Sequence, residues 1–463
     1  MAGMNRRDFL CLSAAAGLAG CASAPDAESS RKPNIIFLMA DDLGYGHLGC
    51  YGQERIRTPR IDRLAAEGMR FTDCYAGSTV CAPSRSTLMT GFHTGHAYVR
   101  ANTGGVPLRP EDVTVAEVLR DAGYATGLFG KWGLGAEGTT GVPTRQGFDE
   151  FFGYLHQIHA HFYYPDYLME GETRFPLPGN ADGARGQYSH DLVVERALDF
   201  IERRQDEPFF LYVPFTIPHA ETLVPEDSLA EYRGEFPETP YEGSHYADQP
   251  TPNAAFAGMV SRLDRDVGRI VDQIDELGLG EDTVIFFTSD NGSISGFNID
   301  DEVFHGSGPL RGFKRDVYEG GIRTPMIARW TGTVEPGAVS DLPWAFWDFL
   351  PTAAELAGVS APDGIDGISV APTLTGEGEQ PRHDYLYWEF EQRERWGRAV
   401  RMGKWKAVEP ARDAPLELYD LNADLGETRN LADEHPDVVE RMQAVLAQAH
   451  TEPAPQVEPG WQP

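Results

Sequence analysis

The chain of 463 residues is long enough for one large domain with a smaller one, or for two to three ordinary domains. Apolar residues make up 41% and aromatic residues 11%, a globular composition that excludes a disordered chain. With 39 basic against 71 acidic residues the formal net charge is −32, which excludes nucleic acid as the partner. The same charge sets a field that repels anions, so an anionic ligand needs a local basic cluster.

Residues 1–30 read as a signal and tether, not as part of the fold. Asn5-Arg6-Arg7-Asp8-Phe9-Leu10 resembles a twin-arginine export signal, and the apolar stretch Phe9 to Gly20 is too short to span a bilayer. Leu18-Ala19-Gly20-Cys21 resembles a lipobox, so Cys21 is expected to carry lipid and anchor an exported protein at a periplasmic or cell-surface membrane. The alternative is cleavage near Ala22-Ser23-Ala24, which gives a free secreted chain. No later stretch is apolar and long enough to cross a membrane.

Residues 31–374 alternate strands with helices, the pattern of a doubly wound α/β sheet. Asn34 to Met39 is a continuous apolar run, as expected of a strand buried on both faces. Thr58-Pro59 caps a helix that runs to Gly68. Pro83 suits the first turn of a helix that Gly91 ends, with Ser84 placed to satisfy free N–H groups at its start. Val113 to Ala122 reads as a short helix before the strand Ala125–Phe129, and Asp191 to Arg204 as a helix before the strand Phe209–Phe215. Phe256, Met259, Val260, Leu263, Val267, Ile270 and Ile274 repeat at helical spacing up to Gly278, and the strand Val284–Phe287 follows. Residues 375–463 change character. Four short strands near Tyr385–Trp388, Ala399–Met402, Trp405–Val408 and Leu416–Tyr419, with a helix from Val438 to Ala449, make a small antiparallel α+β subdomain and a Pro-rich tail.

The polar residues of interest stand directly after the strands of the first part. Asp41 and Asp42 follow the first, Lys131 the second, His219 the third, and Asp290 and Asn291 the fourth. Ligand crevices of open α/β sheets lie outside the carboxyl ends of the strands, so four segments deliver polar groups to one edge. Asp41, Asp42, Asp290 and Asn291 form an all-oxygen set that suits Ca²⁺ or Mg²⁺. No Cys/His spacing reads as a zinc site. Cys81 just before a helix N-terminus sits in a positive field, and Arg85 one turn on offers a bidentate donor for an oxyanion. Cys50 and Cys74 remain, either paired or free.

Cys81-Ala82-Pro83-Ser84-Arg85 with Leu88-Met89-Thr90-Gly91 resembles the signature of the type I sulfatases, a family of the alkaline phosphatase-like superfamily. The resemblance runs over roughly residues 33 to 432. It includes Gly130-Lys131-Trp132-Gly133, Pro218-His219, Lys314 to Gly321, and the closing Leu418-Tyr419-Asp420-Leu421 and Arg429-Asn430-Leu431. It implies an alkaline phosphatase-like mixed sheet and hydrolysis of sulfate esters. It further implies that Cys81 is oxidised by a formylglycine-generating enzyme, before folding, to Cα-formylglycine, whose hydrate is the nucleophile. The resemblance has that group and Asp41, Asp42, Asp290 and Asn291 binding one Ca²⁺. Arg85, Lys131 and Lys314 then neutralise the sulfate, Asp290 accepts the nucleophile's proton and His219 protonates the leaving alcohol.

Two positions depart from the family. Gly133 stands where many relatives carry a histidine, and Ser293-Ile294 where many place another after the Asp-Asn-Gly turn. The loop His156-Gln157-Ile158-His159-Ala160-His161 offers replacements, either as a base or as a sugar subsite. A sulfated saccharide is the expected substrate, with Tyr163, Tyr164, Trp388 and Trp396 as candidates to stack on sugar rings. The alternatives are a phosphoester or phosphonate hydrolase on the same scaffold, or a silent lipoprotein that binds sulfated glycans.

Overall fold

The computed structural model describes residues 32–102, 105–243 and 245–456. The signal, the twin arginines and Cys21 lie outside the described residues. Among the described residues twelve strands precede the C-terminal part: β1 (Asn34–Ala40), β2 (Met69–Phe71), β3 (Cys74–Tyr75), β4 (Ala125–Lys131), β5 (Glu150–Tyr154), β6 (Tyr167–Glu170), β7 (Thr173–Pro176), β8 (Phe209–Pro214), β9 (Thr283–Ser289), β10 (Met326–Arg329), β11 (Ala338–Ser340) and β12 (Trp344–Ala345). Ten of them form one sheet in the order β11-β2-β10-β9-β1-β8-β4-β5-β6-β7.

The four strands expected from sequence are adjacent in that order, and all pairings among them are parallel. Their carboxyl ends therefore share one edge. The flanks are what turn the sheet mixed: β10 runs antiparallel to β9, and β6 antiparallel to β5. These flanking strands are short and partly polar, which is why they carry no clear apolar run.

Each central strand is buried on both faces. Along β1, Ile36, Leu38 and Ala40 enter one core while Ile35, Phe37 and Met39 enter the other. β8 and β9 divide in the same way, with Leu211, Val213, Ile285 and Phe287 on the first face and Phe210, Tyr212, Val284 and Phe286 on the second. The helix Pro252–Glu276 covers the first face through Phe256, Met259, Val260, Leu263, Val267, Ile270 and Ile274. Each such side chain contributes about 1.5–3 kcal/mol on burial, so this helix is a principal stabiliser of the sheet.

Local details refine the sequence expectations. The helix Pro59–Glu67 has Thr58 at its N-cap, but the Thr58 hydroxyl accepts from the Gly49 amide. The start of that helix is capped from outside by Asp264, whose carboxylate accepts the Arg60 and Ile61 amides at 3.0 and 2.7 Å. The helix expected from Val113 begins at Val115, because Thr114 and Glu117 close a reciprocal capping box. Cys50 and Cys74 are free thiols.

The C-terminal strands are β13 (Leu386–Gln392), β14 (Arg395–Met402), β15 (Trp405–Glu409) and β16 (Glu417–Asp420), joined antiparallel in sequence order. One face packs Leu386, Trp388 and Phe390 on Tyr75, Val317 and Trp347 of the main part. The other packs Tyr387, Val400 and Leu418 under the helix Pro436–Gln448. Trp388 and Tyr163 are thus core residues with no exposed ring, a correction to their reading as sugar platforms. Both faces of the C-terminal sheet are covered, and the alternation along β13 turns Trp388 onto the main part.

Candidate active site

Cys81 is the first residue of the helix Cys81–Thr90, with Val80 at the N-cap and Gly91 closing it at φ 75°. Ser84 does not serve its own helix start: its hydroxyl accepts the Gly77 amide at 3.1 Å. The free Ala82 amide is instead taken by the Asn102 side chain at 3.2 Å. No sequence signal marks Asn102, which lies on an irregular segment 20 residues away.

The strand-end residues converge on this helix start. The Cys81 thiol points at Asp41 Oδ1 (3.4 Å), and Lys314 Nζ lies 3.5 Å from its sulfur. Lys131 Nζ donates to Asp41 Oδ2 at 2.5 Å. Lys314 Nζ bridges both Asp42 oxygens at 2.7 and 2.8 Å. Arg85 donates to Asp290 Oδ2 at 2.7 Å and to the Lys131 carbonyl at 2.6 Å. His219 Nε2 is 3.4 Å from Asp42 Oδ2. Asp42 takes φ 67°, a left-handed conformation that a non-glycine residue adopts rarely, and it is from there that its carboxylate meets Lys314.

Asp41, Asp42 and Asp290 are thus matched by Arg85, Lys131 and Lys314, and none of the six is more than 7% exposed. Isolated charges this deep cost several kcal/mol each, so the set holds only because every member is paired. Burial, then the Asp290 and Asp41 carboxylates, push the Cys81 thiol up to about 12. Burial opposes charge on Lys314, but Asp42 and its neighbours hold its pKa above the usual range. Burial, then Lys314, His161 and Lys131, hold His219 well below the usual histidine range. Burial, then Asp41, raises Asp290.

The donor set suits a hard divalent cation. Asp41, Asp42, Cys81 and His219 bring ligand atoms within 4.8 Å of one another. Asp290 and Asn291 stand beside them: the Asn291 amide donates to Asp42 Oδ1 at 2.8 Å, while its own Oδ1 is buried with no hydrogen-bond partner among the described residues. An orphaned carbonyl oxygen amid three carboxylates is a vacant ligand for such an ion.

The histidine loop divides. His161 stacks on His219 with ring centroids 4.2 Å apart, and Tyr246 reaches its Nδ1 at 3.4 Å. Gln157 is buried, and neither amide atom has a hydrogen-bond partner among the described residues. It occupies the place a side chain at Gly133 would take: a Cβ there would fall 2.7 Å from Gln157 Oε1 and 3.9 Å from Arg85 Cδ. His159 packs on Tyr154 and Tyr167 instead, and His156 accepts the Ile158 amide beside Gly105. A cleft of about 1080 Å³ opens over this wall, lined by Gln157, His161, Tyr246, Arg315 and the turn between β13 and β14. Sequence reading missed Tyr246 and that turn, which come from segments with no chemical motif, and gave no role to Arg315, which stands beside Lys314 in a motif segment.

Residues 33–359 match the sulfatase family, and residues 312–452 match the C-terminal region of N-sulphoglucosamine sulphohydrolase. Arylsulfatase A of Homo sapiens is 35% identical, over 91% of this chain and 86% of its own. The N-acetylgalactosamine-6-O-sulfatase of Bacteroides thetaiotaomicron is 30% identical, over 92% of this chain and 94% of its own. Among solved structures, Ps i-CgsB in complex with k-i-k-neocarrahexaose superposes with a TM-score of 0.78 at 26% identity, covering 92% of this chain and 94% of that one. The chain belongs to the sulfatase family and is a sulfuric ester hydrolase.

Proposed function

We propose that the chain removes sulfate from sulfated saccharides, with residue 81 as nucleophile in its Cα-formylglycine form and Ca²⁺ held by Asp41, Asp42, Asp290 and Asn291. The observation that carries this reading is the meeting of Arg85, Lys131 and Lys314 around Cys81 at the strand-end edge. A sulfate ester resists nucleophiles because its own oxygens are negative, and three fixed cations in a dry site offset that charge without reorganisation. The hydrated aldehyde would supply one hydroxyl to attack and a second to release sulfate. A divalent cation, when bound, supplies further positive charge to the sulfate oxygens and neutralises the carboxylates.

The remaining roles fall to the chain's own groups. Asp290, anchored by Arg85, is the acceptor for the nucleophile's proton. His219 is the donor to the leaving alcohol, its ring oriented by the stack on His161. Gln157 offers both halves of an unpaired amide to the bound sugar. The saccharide class is supported by the cleft of about 1080 Å³ and by relatives of which one is named N-acetylgalactosamine-6-O-sulfatase and another is solved with a neocarrahexaose.

The test is release of inorganic sulfate from defined sulfated oligosaccharides by protein from its native host, followed by ion chromatography. Sulfate release from aryl sulfates with none from any saccharide would overturn the substrate class. Export and anchoring are proposed on the sequence alone. Arg6→Lys with Arg7→Lys is expected to trap precursor in the cytoplasm, and Cys21→Ala to free the protein from membranes with its activity retained. Unchanged membrane fractionation of the Cys21 variant would refute lipidation there.

A further inference from the structure

The net charge of −32 turns anions away from the molecule as a whole, yet the cleft over the active-site wall is lined by more arginines than carboxylates. Three arginines line it: Arg315, Arg393 and Arg395. Arg315 follows Lys314 directly. At φ 81°, with its amide donating to the Thr79 carbonyl at 2.9 Å, the backbone turns so that Lys314 is buried and Arg315 is exposed.

Arg393 stands on the two-residue turn between β13 and β14, whose last pair is Gln392 with Arg395. Its φ is 57°, in a hairpin position where glycine or asparagine is the ordinary choice. Arg393 thus holds an unfavourable backbone conformation while its side chain lines the cleft, and such outliers gather at ligand sites. The two segments are fixed against each other. A Cβ on Gly397 of β14 would fall 3.0 Å from Val317, so the strand lies directly against the segment that carries Arg315.

Two carboxylates, Glu391 and Glu394, line the cleft as well, and Asp316 stands beside it. Glu391 is held by Arg412 at 2.6 Å, and Asp316 lies 4.0 Å from Arg395. Glu394 completes the turn. Neither Arg315 nor Arg393 has an acidic partner within ion-pair distance among the described residues.

We propose that Arg315, Arg393 and Arg395 form a second anion subsite at the cleft mouth, so that the preferred substrate is a glycan with a further sulfate or carboxylate beside the sugar being desulfated. This rests on the sulfatase reading and deepens it. A planar guanidinium takes either anion through paired hydrogen bonds, and a polyanionic chain supplies both the scissile group and the anchoring one.

The test compares kcat/KM on two oligosaccharides with the same scissile sulfate, one of them with an additional sulfate, and on 4-nitrophenyl sulfate. The wild type is expected to favour the doubly charged oligosaccharide. Arg393→Ala is expected to lower that preference about tenfold, the worth of one charge-assisted hydrogen bond. Arg393→Lys should retain part of it, and raising NaCl should erode it more in the wild type than in Arg393→Ala. Arg393→Gly should lose the preference while its thermal midpoint stays level or rises, because the turn is relieved. A wild-type preference at or below unity overturns the subsite, as does a preference unchanged in both Arg393→Ala and Arg315→Ala. If the wild type releases sulfate from 4-nitrophenyl sulfate and both oligosaccharides, only the subsite is at stake in these comparisons. If it releases none from all three, the sulfatase reading falls with it.

Discussion

The floor of the cleft and its rim hold charge in different ways. On the floor, Asp41, Asp42 and Asp290 face Arg85, Lys131 and Lys314, all buried and all paired, across sequence separations of up to 272 residues. On the rim, Arg315 and Arg393 are exposed and make no ion pair among the described residues, on short segments held by neighbouring packing. Buried pairs fix geometry and tolerate no loss of one partner, because the other is then left charged in a low-dielectric site. Exposed charges cost little to change and act on what arrives from solvent. The floor thus determines the reaction, and the rim selects the molecule on which it is performed.

The largest expected effect is on the floor. Cys81→Ala should lower sulfate release by at least about 10³-fold, since the remaining cations can bind a sulfate ester but nothing attacks it. Initial rates with a defined sulfated oligosaccharide check this, and an activity within tenfold of wild type would break the floor's assignment. Asp290→Ala leaves Arg85 buried without its closest acidic partner, so unfolding in denaturant should show a loss of about 3–5 kcal/mol. The same variant should lose calcium by elemental analysis, and full occupancy would contradict the ligand set.

A third change probes the join between the two regions. Lys406 of β15 sits fully buried between Glu319 and Glu427, at 2.8 and 2.9 Å. Glu319 closes the segment that carries Lys314 and Arg315, and its amide donates to Glu427. Lys406→Met leaves two buried carboxylates facing each other and should destabilise the fold by about 3 kcal/mol or more. If thermal and denaturant midpoints stay at wild type, the C-terminal sheet does not brace that segment.

The smallest effects belong to the loop wall. His161→Ala removes the ring stacked on His219, and Gln157→Ala removes the amide beside Gly133; each should reduce kcat/KM about tenfold or more, within the range of a positioned polar or acid–base group. His159→Ala should stay near wild type, because that ring packs on Tyr154 and Tyr167, away from the cleft. Steady-state kinetics on one substrate rank the three. A larger loss in the His159 variant than in the His161 variant would reverse the assignment.

The sequence made the floor legible and left the rim obscure for physical reasons. Parallel strands buried on both faces must be apolar throughout, so Asn34 to Met39 and Val284 to Phe287 stood out, and the charges after them marked one edge. Flanking strands such as Met69–Phe71 and Ala338–Ser340 are three residues long and were missed. The exposed rim residues repeat no pattern, and what places them, such as the contact of Gly397 with Val317, joins segments 80 positions apart. Trp388 and Tyr163 were misread because an aromatic residue looks alike in core and subsite until its neighbours are known. Ser84 looked like a cap for its own helix, whereas the chain used Asn102.

The central claim is that residue 81 is the modified nucleophile on this floor. Mass analysis of the peptide spanning residue 81, from protein that actively releases sulfate and has been treated with a thiol alkylator, tests it most directly. The account predicts the mass of an aldehyde or its hydrate at that position, in proportion to specific activity across preparations. An alkylated thiol at residue 81 in fully active protein would contradict it.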